Sequence, residues 1–223
     1  LIKYTPVPVS EHESILGKNF KTKFAAEMCA YYAPFQNKKR AIQVAKETWE
    51  YAVSDSIPKA SWVGAGNYVA DVRAPTADLD VKGLSIKSIT NKQSSEASVL
   101  QNNKQENDGF GKLFESKDYK SLKTMFVDPI DEKIKDTNNL HLLAIVRETS
   151  TKKVYYSLLK VTKSNLNNKQ FLDRMVVDGK RSISLPMIDP QFGYTYLYIA
   201  KRRIEIRLNC EGMKDYLVYS HSY

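Results

Sequence analysis

The sequence predicts an α/β protein, with a mixed central sheet flanked by helices and a β-rich, basic C-terminal part. Three observations predict it. Apolar residues recur twice at helical spacing before residue 54. Strand-like alternation begins near residue 68 and returns after residue 141. Positive charge gathers toward the C-terminal end.

The elements follow in order. Pro6 and Pro8 keep the N-terminal arm extended. Phe20, Phe24, Met28 and Tyr31 or Tyr32 line one stripe of a helix over Phe20–Tyr32, and Pro34 ends it. Ile42, Ala45, Trp49, Ala52 and Val53 form the core-facing stripe of a second helix over 39–53. Pro58 and Gly64-Ala65-Gly66 mark loops, and 68–89 has strand character. Residues 91–111 are rich in Asn, Gln and Ser and read as a mobile loop, either a connector or a segment that orders on a ligand. Residues 112–135 read as helical in part, interrupted by Pro129. His141–Val146 and Lys153–Val161 are short strands, and Gln191-Phe192-Gly193 is a turn. Tyr194, Tyr196 and Tyr198 alternate with Thr195, Leu197 and Ile199; Ile204, Ile206 and Leu208, inward, alternate with Arg203, Glu205 and Arg207, outward. Without internal repeats or a linker, one domain over 1–223 is the simpler reading.

Composition removes several classes. The chain has 223 residues, 42% hydrophobic and 26% charged, as in ordinary soluble proteins. Its longest apolar run, Leu140–Val146, is far short of a membrane span. Leu1–Ser10 holds no secretory hydrophobic region. Cys29 and Cys210 cannot form a disulfide framework, which points to a reducing, cytoplasmic setting. The scattered histidines, His12, His141 and His221, argue against a zinc site or a histidine-centred hydrolase. The net charge is +9, but residues 1–150 contribute only +2 and residues 151–208 contribute +8. Such a segment attracts polyanions, so a nucleic-acid partner is favoured over a merely solvated basic face.

The segment from Gly66 to Gly83 carries the chemistry. Pro75-Thr76 suits a turn centre, with Pro in its favoured second position. Folding there sets Arg73 opposite Asp78 and Asp71 opposite Asp80. Ala70, Val72, Ala74, Ala77, Leu79 and Val81 then share one face, and Asp71, Arg73, Asp78, Asp80 and Lys82 the other. Opposed like charges repel in a purely structural hairpin. A divalent cation removes that objection, because it needs carboxylates converging from different backbone positions. Lys82, two residues beyond Asp80 on the same face, would orient or help deprotonate the attacking water, or stabilise charge on the phosphorane. The bland alternative is a surface hairpin whose charges pair as Arg73–Asp78 and Lys82–Asp80, each worth roughly 0–1 kcal/mol.

Asp71 followed by Asp80-Val81-Lys82-Gly83 resembles the motif of the PD-(D/E)xK nuclease superfamily, and specifically of type II restriction endonucleases. Ala70 stands where the motif's proline would precede Asp71. The resemblance implies a restriction-endonuclease-like fold: a helix, a three-stranded meander bearing the motif, a further helix and another strand. It implies that Asp71 and Asp80 are ligands of Mg²⁺ and that Lys82 is the catalytic lysine. Some members add an acid from an early helix, for which Glu50 and Glu27 are candidates, although a solvated helix glutamate is the commoner case. The catalytic core would span about 39–161, and a basic DNA-contact region about 162–223. Lys180, Arg181, Lys201, Arg202, Arg203 and Arg207 are the candidate DNA contacts. For Tyr194, Tyr196 and Tyr198, core packing is as good a reading as DNA contact.

The expectation is a Mg²⁺-dependent, site-specific double-strand DNA endonuclease, acting as a homodimer to match a palindromic site. Alternatives are a repair or junction-resolving nuclease of the same fold, and a non-catalytic nucleic-acid-binding protein. A metal-free ribonuclease toxin fits poorly with so few histidines.

Overall fold

The computed structural model describes residues 2–35, 46–64, 70–90, 94–100, 134–135, 137–163, 176–178, 182–186, 193–198 and 203–223, with residues 116, 118, 120, 121 and 170. Three α-helices lie among them: α1 (His12–Leu16), α2 (Phe20–Tyr32) and α3 (Lys46–Ser56). The strands in chain order are β1 (Ile2–Pro6), β2 (Ser61–Trp62), β3 (Val72–Arg73), β4 (Asp78–Ile86), β5 (Ser94–Leu100), β6 (His141–Glu148), β7 (Lys153–Lys163), β8 (Val176–Asp178), β9 (Ser182–Pro186), β10 (Gly193–Tyr198), β11 (Arg203–Asn209) and β12 (Val218–Ser222).

They form two sheets. The first runs β1-β7-β6-β4-β3-β2, and β12 also pairs with β7; the second runs β5-β11-β10-β9-β8. The first sheet is mixed, since β4 and β6 are parallel while its other pairs are antiparallel. The chain is therefore a mixed α/β protein, its first sheet flanked by helices.

Helix stripes read from sequence bury the residues expected. On α2, Phe20, Phe24, Met28 and Tyr32 are buried, while Tyr31 stays exposed. On α3, Trp49, Ala52 and Val53 are buried; the remainder of that expected helix, 39–45, lies outside the described residues. These side chains join Leu79, Val81, Leu143, Ile145, Tyr156 and Leu158 from one face of the sheet in a single core. Full burial of each large side chain contributes roughly 1.5–3 kcal/mol. Trp49 packs across Gly83 so closely that a Cβ there would lie 2.6 Å from the indole Nε1.

The opposite face is buried too. Asp80, Lys82, Leu84, Leu142, Ala144, Val146, Ser157 and Leu159 are all buried. A parallel pair at the sheet centre is normally covered on both sides. This corrects the picture of a hairpin with one solvated, charged face: within residues 70–82 only Arg73 and Pro75-Thr76 are exposed.

Other corrections concern extent. Residues 94–100, expected in a loop, form β5 against β11. Local polarity is overridden there by a partner more than a hundred residues away in sequence. β3 has only two ladder residues. The C-terminal region is β-rich, but β12 returns to the first sheet rather than joining the second. The helix expected within 112–135 falls almost wholly outside the described residues.

Candidate active site

The turn at Pro75-Thr76 forms where the sequence places it. The Ala74 amide donates to the Ala77 carbonyl at 2.9 Å, and Val72 pairs with Leu79 and Arg73 with Asp78. One step further the regular ladder stops, correcting the direct opposition of Asp71 and Asp80. The Asp71 amide donates to the Leu79 carbonyl at 2.8 Å rather than pairing at Asp80. The Asp71 carboxylate instead accepts the Val81 amide at 2.8 Å through Oδ2. The chain diverges because Asp71 also serves the edge segment, its carbonyl accepting the Val63 amide at 3.0 Å. The result fixes the Asp71 side chain by a main-chain donor of the strand that carries Asp80 and Lys82.

The three motif side chains converge. Lys82 Nζ lies 2.5 Å from Asp80 Oδ1 and 3.7 Å from Asp71 Oδ2. Two carboxylates thus share one ammonium. Asp80 is 1% exposed, whereas Asp71 and Lys82 reach the surface at 8% and 9%. Burial raises the Asp80 pKa to about 7; Lys82 opposes the rise, and the neighbouring Asp71 charge adds to it. Among the described residues, Asp80 Oδ1 is met only by the Lys82 ammonium and Oδ2 has no hydrogen-bond donor. The cluster carries one more acid than base, and its most buried acid is the one left short of partners.

Asp78 has a different task. Its Oδ2 accepts the Asn138 amide at 2.8 Å, and its own amide donates to the Asn138 carbonyl at 2.8 Å. It holds the loop that leads into β6. Its contact with Arg73 is long, at 3.9 Å, and the arginine is exposed.

The two helix glutamates separate. Glu50 is 3% exposed, which overturns the solvated reading. Its Oε2 accepts Trp62 Nε1–H at 2.9 Å, and Trp62 sits on β2 opposite Val72, next to Asp71. Glu27 is half-buried on α2, a helix that lies against α3 and β12. Among the described residues, no group of three or more His, Cys, Asp or Glu is gathered to hold a metal. Neither glutamate completes such a set with Asp71 and Asp80.

Lys180, Arg181, Lys201 and Arg202 lie outside the described residues. Arg203 and Arg207 are on β11, opposite Tyr198 and Tyr194 of β10. His141 is buried, with Nδ1 2.7 Å from the Asn139 carbonyl, in a structural position.

Sequence reasoning missed Tyr4. It is buried on β1, its hydroxyl has no hydrogen-bond partner among the described residues, and burial followed by the Asp80 charge raises its pKa well above the ordinary tyrosine value. No local pattern near Tyr4 signals this, because its electrostatic coupling to Asp80 depends on three strand pairings. Comparison with protein-family models, curated proteins and solved structures finds no match.

Proposed function

We propose that the chain is a Mg²⁺-dependent endonuclease that hydrolyses phosphodiester bonds in double-stranded DNA, of the type II restriction class. The observation that carries this reading is the convergence of Asp71, Asp80 and Lys82. A cation, the lysine ammonium, already lies between two carboxylates, and the buried Asp80 Oδ2 has no donor among the described residues. That donor set fits a hard divalent ion, which prefers carboxylate oxygen. The helix α3, the meander β2-β3-β4 and the parallel strand β6 support the reading, since they correspond to parts of the implied order; the further helix of that order lies outside the described residues, and β5 intervenes before β6.

Asp71 and Asp80 would hold the ion, which supplies Lewis acidity and a nucleophilic water at neutral pH. Asp71 is oriented for this by the Val81 amide. Lys82 must leave its position between the acids when the ion enters. Its ammonium is then available to the phosphate, where a positive charge stabilises the transition state. The basic segment over 151–208 supplies phosphate affinity, and a homodimer would match a two-fold site.

The deep burial of Asp80 favours a second reading, a structural ion-pair triad inside a non-catalytic nucleic-acid-binding protein. One experiment separates them. Long DNA of known sequence, incubated with the protein and Mg²⁺, is expected to give discrete bands that vanish with EDTA. Asp80→Asn and Lys82→Ala are expected to abolish cleavage and retain DNA binding. Binding without any cutting by the parent chain would leave the second reading standing. A smear would indicate a nuclease without site specificity.

A further inference from the structure

The first sheet's register defines which residues share the face bearing Asp80 and Lys82. Asp80 aligns with Leu142, Leu159 and Pro6 across β4, β6, β7 and β1. Lys82 aligns with Ala144 and Ser157. Alternation puts Tyr4, two residues before Pro6, on this same face. Tyr4, Leu142, Ala144, Ser157 and Leu159 are all buried.

The polar atoms on this face are short of partners. Among the described residues, the hydroxyls of Tyr4 and Ser157 make no hydrogen bond and Asp80 Oδ2 has no donor, while Oδ1 is held by the Lys82 ammonium. A buried polar group left unsatisfied costs about 1–3 kcal/mol, and native interiors pair the large majority of such groups. Leucine and alanine neighbours cannot satisfy them. Three such atoms, Tyr4 Oη, Asp80 Oδ2 and Ser157 Oγ, lie on this one face on β1, β4 and β7 and call for a polar occupant. The Asp80 charge acts on the Tyr4 phenol, so that hydroxyl lies within electrostatic reach of the carboxylate.

We propose that Tyr4 is a positioning residue of the cation site, its hydroxyl engaging the hydration water of a divalent ion held by Asp80, with Ser157 engaging that water shell beside Lys82. Mg²⁺ and Mn²⁺ bound through one or two carboxylates keep several waters. Those waters are strong donors, and a hydroxyl oxygen accepts. Such outer partners typically change metal affinity 10–100-fold when removed. The inference rests on the metal-dependent reading of Asp71, Asp80 and Lys82.

The test uses the full chain and Mn²⁺ alone, with free Mn²⁺ read by electron paramagnetic resonance and metal-free stability by denaturant melts. The parent is expected to bind Mn²⁺, and Asp80→Asn to lose that binding. Tyr4→Phe keeps the ring and removes only an unpaired hydroxyl. Its metal-free midpoint is expected to match or exceed the parent's, while Mn²⁺ affinity falls about tenfold or more. Ser157→Ala is the second variant and is expected to weaken Mn²⁺ in the same direction. Parent-like Mn²⁺ affinity in both variants, with Asp80-dependent binding intact, overturns the assignment and leaves the metal site standing. Absence of Asp80-dependent binding in the parent overturns the metal reading and this inference together.

Discussion

At the residue scale, Asp80 is the most consequential group. Its folded pKa is raised from 3.8 to about 7, chiefly by burial. Below pH ~4 it is protonated in both folded and unfolded chains. Between about 4 and 7 the unfolded chain releases the proton while the fold retains it, so this group's contribution lowers stability as pH rises. Above about 7 the full cost is present, on the order of 4 kcal/mol for a shift of this size. Asp80→Asn is therefore expected to be the more stable chain at pH 8, by up to ~4 kcal/mol, with the difference closing toward pH 4. Urea melts of both chains at the two pH values measure it, and a pH-independent difference would contradict the account. By the same proton competition, Mg²⁺ binding is expected to strengthen as pH climbs through about 7. The motif residues were legible in sequence because their types and spacing are local. The coupling of Tyr4 to Asp80 was not, because it depends on how β1, β7, β6 and β4 align.

At the element scale, what could be read depended on where the determining contacts lie. The β3–β4 turn was legible because Pro75 presets the turn and apolar and charged residues sort cleanly on either side of it. The α2 and α3 stripes were legible because every fourth residue points into one core. Asp71 was placed beside the right partners but in the wrong relation to them. Period-two alternation carries no sign of the break after Val72, where the Asp71 carboxylate takes the Val81 amide. β5 was illegible because a polar run of Ser and Glu becomes a strand only when β11 supplies its hydrogen bonds. The close approach of α3 to β4 gives a stability prediction. Gly83→Ala sets a methyl 2.6 Å from Trp49 Nε1. Forcing atoms into a packed core typically costs about 1–3 kcal/mol. The expected result is a lower urea midpoint and a shifted fluorescence of the buried Trp49. An unchanged midpoint would mean that α3 moves away freely.

At the scale of the whole molecule, charge and connectivity set the behaviour. The +8 of residues 151–208 lies partly on β11, where Arg203 and Arg207 pair with Tyr198 and Tyr194. Arg207 also pairs with Glu96 of β5 in the ladder. In an Asp80→Asn background that cannot cut, Arg203→Ala is expected to weaken DNA binding and reduce the salt slope by about 1. Arg207→Ala is expected to have the smaller effect. Affinity and slope equal to the parent in filter-binding titrations would remove both from the interface. Connectivity has its own consequence. β1 runs along residues 159–163 of β7 and β12 along residues 153–156, so segments 2–6 and 218–222 lie in line on a single neighbour. A nascent chain can lay down the middle of this sheet early, yet that margin stays open until residues near 220 emerge from the ribosome. Synthesis would thus delay the seal on one border of the first sheet, and an abbreviated product would expose a sticky rim to aggregation.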